Sequence, residues 1–147
     1  SFGMQEEDVR FVMQLPWVAT ASDGSVKRPS SLRPHPRSYG TFSRKLGHYR
    51  RTERVLSLER SVRSCSGLPA DILGIAERGY LRVGYFADVA VFDPATIADR
   101  ATYDEPFLDS RGLPWVWVNG QQAIHDGQPT DRLAGRPLRH PLPEPGK

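Results

Sequence analysis

WVATASDGS, residues 17–25, opens with an apolar run led by Trp17 and Val18 and closes on small residues, a carboxylate and a glycine. A short and nearly uninterrupted apolar run reads as a strand covered on both faces of a parallel sheet, so 17–21 is expected to be such a strand. Just upstream, Gln5-Glu6-Glu7-Asp8 sets acids where the positive end of a helix favours them. Val9, Val12 and Met13 then share one helical face, and Pro16 stops the segment. Helix, strand, loop and helix in this order give the rhythm of a βα protein. The acid is the feature that a buried strand has no use for. By itself Asp23-Gly24 reads as a turn or a helix cap as readily as a functional group.

The chain has 147 residues, 38% hydrophobic and 25% charged, with a formal net charge of +3. This is the makeup of a soluble globular protein and roughly one domain. No apolar stretch approaches the ~20 residues that cross a bilayer. Ser1-Phe2-Gly3-Met4 has neither the basic region nor the apolar core of a signal peptide, so a cytoplasmic location is expected. Cys65 is the single cysteine, which excludes an internal disulfide and a zinc ribbon and points to a structural thiol in a reducing compartment.

Residues 24–40 read as a long loop, with three prolines and two glycines and no sustained apolar period. Thr41 is a plausible N-cap for a helix through Phe42, Leu46 and Tyr49. A second helix is expected from Ser57 through Leu58, Val62 and Cys65 to a stop at Gly67, each helix burying those positions. GLPADILGI, bracketed by Gly67 and Gly74, reads as a turn with a short helix. From Gly79 onward the pattern changes to β: 87–92, then WVWV at 115–118 and 122–125 flanking Asn119-Gly120, a strong hairpin signal. The region 128–147 turns polar and proline-rich and reads as a tail. One parallel strand cannot form a sheet and three or so further strands cannot cover both faces of one, so the chain is expected to be a piece of something larger.

The blocks PWVATASDGS, RPHPRSYGTFSRKLGHY, LSLERSVRSCSGLPADILGI, RGYLRVGYFADVAVFDPATIADRATY and WVNGQQAIHDG, in that order, resemble the C-terminal portion of N-acyl-D-amino-acid deacylases, the D-aminoacylase branch of the metal-dependent amidohydrolase superfamily. The resemblance implies an α/β fold in which 1–78 is the C-terminal part of a (β/α)₈ barrel, with its eighth strand and flanking helices. It implies that 79–127 supplies C-terminal strands of a small β-sandwich, with 128–147 as the tail. It further implies a zinc cofactor, a small N-acyl-D-amino acid as substrate, and no nucleic-acid or membrane partner. Asp23 corresponds to the family's aspartate beside the metal, at the end of a barrel strand, which takes a proton from the zinc-activated water and passes it to the leaving nitrogen. Arg37 corresponds to the arginine that clamps the substrate carboxylate, for which a planar guanidinium fork is suited. His35 and Tyr39 shape the loop around it. The family's principal metal ligands are absent from this chain: His35, His48, His125 and His140 form neither a His-x-His nor a His-x-x-x-His pattern. Alone, the chain is therefore expected to be inactive.

Some positions depart from the family. The loop between Asp23 and Arg37 is a few residues longer, Ser43 stands where a proline is frequent, and Arg60 replaces the glutamate that completes a capping box with Ser57. The alternatives are another amidohydrolase acting on a linear or cyclic amide, a truncated protein without catalysis, or a nucleic-acid binder. The last rests on eleven Lys or Arg against two Glu between Lys27 and Arg63.

Overall fold

A computed structural model describes residues 3–25 and 33–138. Helix α1 (Glu6–Met13) forms where the acids predict it, with its three acids in the first turn and Asp8 accepting from the Gln5 backbone at 3.3 Å. The 17–21 segment that follows forms no strand. Among the described residues no neighbouring strand lies beside it, and Thr20 ties it to the helices, its amide donating to the Ser64 carbonyl at 2.8 Å and its hydroxyl accepting from Lys45 Nζ at 2.5 Å. The expected strand fails for want of a partner, since a parallel ladder needs a second strand to accept its bonds.

The next helix starts earlier than the sequence reading places it. Helix α2 (Arg37–Arg44) begins behind Pro36, whose φ of −51° is already helical, so residues 37–40 belong to the helix and not to the loop. Thr41 is no N-cap: its hydroxyl donates back to the Arg37 carbonyl at 2.9 Å inside the helix. The segment continues without a break as a π-helix, Lys45–Thr52. Its wider turn puts Lys45, Leu46, Gly47 and Tyr49 together on the buried side, while Phe42 stays exposed.

Ser57 does cap α3 (Leu58–Cys65), accepting from the Arg60 amide at 3.3 Å. The buried face of α3 is Ser61 and Ser64, whereas Val62 is exposed, because the ridge toward the π-helix is hydroxyl-lined. Helix α4 (Gly67–Leu73) ends on Gly74 in the left-handed region, as its bracketing glycines predict. Leu46, Tyr49, Leu56, Leu68, Ala70, Ile97 and Ala101 form the apolar core. Arg51 fastens the π-helix to the 93–98 connection by donating to the carbonyls of Ala95 and Ile97.

Beyond α4 lies one antiparallel sheet in the order β1 (Val89–Val91), β2 (Trp115–Val118), β3 (Gln121–His125) and β4 (Gln128–Pro129). Asn119 and Gly120 adopt φ of 49° and 77°, the two positive values of a type I′ turn between β2 and β3. Gln128 and Pro129, assigned to the tail by composition, instead pair with β3 as the edge strand, where a proline is tolerated. Residues 139–147 of that tail lie outside the described residues. The strands expected in a β-sandwich thus form a single sheet, and among the described residues no second sheet covers it. Arg78, nearly buried, donates to Asp88 and, at 2.5 Å, to the side chain of Asn119, with its guanidinium 4.1 Å from the Phe86 ring centroid. No helix among the described residues is long and apolar enough to cross a membrane.

Candidate active site

Asp23 and Arg37, fourteen positions apart, meet in space: Arg37 Nη2 lies 2.8 Å from Asp23 Oδ2, with the carboxylate 86% exposed and the guanidinium 44% exposed. Two local features produce the meeting. Asp23 itself is in the left-handed region, φ 47°, a conformation that aspartate tolerates better than most residues. Gly24 then passes so close to the start of α2 that a Cβ there would stand 2.9 Å from Ser38 Cα and 3.3 Å from the Arg37 carbonyl oxygen. The glycine is thus required for close approach, while the sharp change of direction occurs at Asp23. The Gly24 amide donates to Ser22 Oγ at 3.1 Å and the Ser25 amide to Ser38 Oγ at 3.4 Å, which ties the segment to the helix. Residues 26–32, the middle of the connecting loop, lie outside the described residues.

Arg37 opens α2, and its amide donates to His35 Nδ1 at 3.0 Å. That bond makes Nδ1 an acceptor and leaves Nε2 facing the Tyr103 hydroxyl at 2.9 Å, with the two rings edge to face at 5.1 Å. His35 therefore shapes the turn that presents Arg37. Tyr103 enters from 68 positions downstream of His35, and no sequence pattern marks it. Tyr39 packs edge to face on Phe107 at 5.8 Å.

Lys45 carries a second feature that the sequence reading did not single out. It is 4% exposed, and its ammonium donates to Thr20 Oγ1 at 2.5 Å and to Ser64 Oγ at 2.8 Å. A signal existed: Lys45 lies among Leu46 and Tyr49 on the helical stretch expected to pack inward. Burial pushes its ammonium down from the ordinary value and pushes the neighbouring Cys65 thiol up, as suits a structural thiol.

Among the described residues, the group of His, Cys, Asp and Glu close enough to share an ion is Glu6, His48 and Glu53. Arg10 already occupies it, donating to both Glu53 oxygens at 2.7 and 3.1 Å, and His48 Nε2 stands 2.7 Å from the same carboxylate. The Arg10 guanidinium holds the Glu53 carboxyl below its ordinary value. This group ties α1 to the end of the π-helix and does not include Asp23. The basic segment is likewise engaged within the chain: Arg44 with Asp99, Arg63 with Asp71, Arg50 with the Pro94 carbonyl and Arg60 with the Gln14 carbonyl.

Residues 9–124 match the amidohydrolase family model, and the chain belongs to that family. It is 44% identical to an N-acyl-D-glutamate deacylase of Alcaligenes xylosoxydans xylosoxydans over 138 residues, covering 94% of this chain and 28% of the relative. It is also 44% identical to a D-aminoacylase of the same organism, covering 93% of the chain and 28% of the relative. Among solved structures, a D-aminoacylase described as defining a novel subset of amidohydrolases superposes with a TM-score of 0.85 at 43% identity, over 93% of this chain and 28% of that one. An N-acyl-D-glutamate deacylase from Bordetella bronchiseptica, complexed with zinc and a phosphonate inhibitor mimicking the tetrahedral intermediate, superposes with a TM-score of 0.76 at 46% identity, over 90% and 28%. The chain spans about 28% of the length of the curated relatives it matches.

Proposed function

We propose that this chain is the part of a zinc-dependent N-acyl-D-amino-acid deacylase that carries the general base, Asp23, and the group that binds the substrate carboxylate, Arg37. The observation that carries this reading is the 2.8 Å pairing of the two side chains, which puts a proton acceptor and a carboxylate receptor in one place. Identity of 44% to two deacylases over nearly the whole chain supports it. On this reading 1–78 furnishes the last strand and flanking helices of a (β/α)₈ barrel, and the 17–21 segment becomes a strand when a neighbour pairs with it.

Zinc sites take three or four protein ligands, and near Asp23 the described residues offer one carboxylate and no such set. The chain alone does not fit a zinc centre, so its histidine ligands must come from elsewhere in the protein. A zinc held by the complete protein would supply a water of lowered pKa. Asp23, on its left-handed corner, presents an exposed carboxylate oxygen that would accept a proton there. Arg37 in the substrate-free chain rests on Asp23, and an incoming carboxylate takes over its fork.

The test is Asp23→Asn in the longest product of the gene, loaded with zinc. Asparagine tolerates the same backbone conformation but cannot accept the proton. Turnover of N-acyl-D-amino acids is expected to disappear while metal analysis shows nearly unchanged zinc. Wild-type turnover in the variant would overturn the assignment.

A further inference from the structure

Thr20 stands three positions before Asp23, and two bonds hold it to the helices behind. Its amide donates to the Ser64 carbonyl at 2.8 Å, and its hydroxyl accepts from Lys45 Nζ at 2.5 Å. An ammonium has three donors and no acceptor, so Lys45 donates in this second bond. Ser64 Oγ donates to the Ser61 carbonyl at 3.0 Å, so toward Lys45 it can only accept, and Ser61 Oγ donates in turn to the Ser57 carbonyl at 2.8 Å. Lys45 therefore donates to both hydroxyls and joins the 20–23 segment, the π-helix and α3 at one buried point. Among the described residues no carboxylate lies within ion-pair distance of this ammonium. The titratable group facing it is the Cys65 thiol of α3. Burying a cation against two hydroxyls is costly, and a methionine of similar length would fill the same space without that cost. What Lys45 contributes that an apolar side chain does not is a directed bond to Thr20.

We propose that Lys45 is a positioning residue that fixes where Asp23 projects, acting through Thr20. The proposal rests on the reading of Asp23 as general base. The Lys45 bond anchors the segment to the helices behind it three residues before the carboxylate, and displacement by about 1 Å at a reacting group can cost ~100-fold in rate.

The experiment compares Lys45→Met, Lys45→Arg and Thr20→Val in the longest gene product, loaded with zinc. Both kcat and KM are measured on an N-acyl-D-amino acid, and amide exchange is followed over residues 18–25 and over the sheet. The methionine and valine variants are expected to lose about 10- to 100-fold in kcat with KM within about twofold. Exchange of 18–25 should quicken while the sheet stays unchanged, and Lys45→Arg should recover part of the rate. If Asp23→Asn is inactive and Lys45→Met and Thr20→Val retain wild-type kcat, the proposal is wrong. An active Asp23→Asn would remove the base assignment instead, and unchanged exchange of 18–25 in Lys45→Met would separately show that Lys45 does not hold the segment. Thr20→Val preserves shape and charge, so the result stands even if the methionine variant folds poorly.

Discussion

Gly24 has no room for a methyl group: the atoms that a Cβ would meet are the Ser38 Cα and the Arg37 carbonyl, both backbone and unable to swing aside. Gly24→Ala should push the Asp23 corner away from α2 and cost about 1–3 kcal/mol, read as a lowered urea midpoint together with lost turnover. Arg37 is tested by shape and not by sign. Arg37→Lys keeps the charge but loses the planar fork, and hydrogen bonds to charged groups contribute roughly 1.5–3 kcal/mol each. The value of kcat/KM for an N-acyl-D-amino acid should therefore fall about 10- to 150-fold. The corresponding amide lacks the carboxylate, so its slower hydrolysis should change little. Equal losses on both substrates would reduce Arg37 to a support of the 23–25 segment. The acid and the arginine were both singled out in the sequence through the resemblance. Their mutual distance was not, because it depends on the left-handed φ of Asp23 and on a close approach that no spacing encodes.

Between elements, the tie of α1 to the end of the π-helix is electrostatic and is set against acid. Arg10 holds the Glu53 carboxyl below its ordinary value of 4.5. A depressed carboxyl contributes stability that is fully present above the ordinary value and is lost as pH falls through the lower folded one. Urea midpoints should therefore decline from about pH 5 downward, and Glu53→Gln should flatten that decline while lowering the midpoint at neutral pH. Lys45 runs the opposite limb. Its ammonium is pushed below 10.5, so the unfolded chain binds more protons in the window up to that value. Stability relative to Lys45→Met should therefore rise as alkali is added toward it. The caps of α3 and α4, the hairpin turn and α1 could all be read locally, since each depends on residues within one turn of one another. The start of α2 and the π-helix could not, because Pro36 and the burial of Lys45 beside Leu46 outweigh the weaker local signal of Thr41.

For the molecule as a whole, the core is thin and several large apolar side chains are exposed. Ile97 at 2% exposure is the most buried apolar residue, while Phe11, Trp17, Leu81, Val83 and Leu133 stand largely in solvent, and the sheet is uncovered by a second one among the described residues. These exposed apolar side chains and the uncovered sheet accord with a chain that spans 28% of the length of its relatives. The 147-residue chain alone is therefore expected to bind a hydrophobic dye, to hold zinc weakly and to hydrolyse no N-acyl-D-amino acid. Stoichiometric zinc in chelator-washed protein would contradict this.

The order of residues alone determined the family, the helical and strand-forming halves and the Asn119-Gly120 hairpin, and it pointed to the acid and the arginine as site candidates. These follow from periodicity, from turn chemistry and from motif blocks, all of which are local. Tertiary structure decided that 17–21 stays unpaired, that Gln128 and Pro129 add an edge strand, that Asp23 and Arg37 touch, and that Lys45 is buried against Thr20 and Ser64. Each of these depends on a partner distant in the chain or on the lack of one, and pairing across space has no signature in a single run of residues.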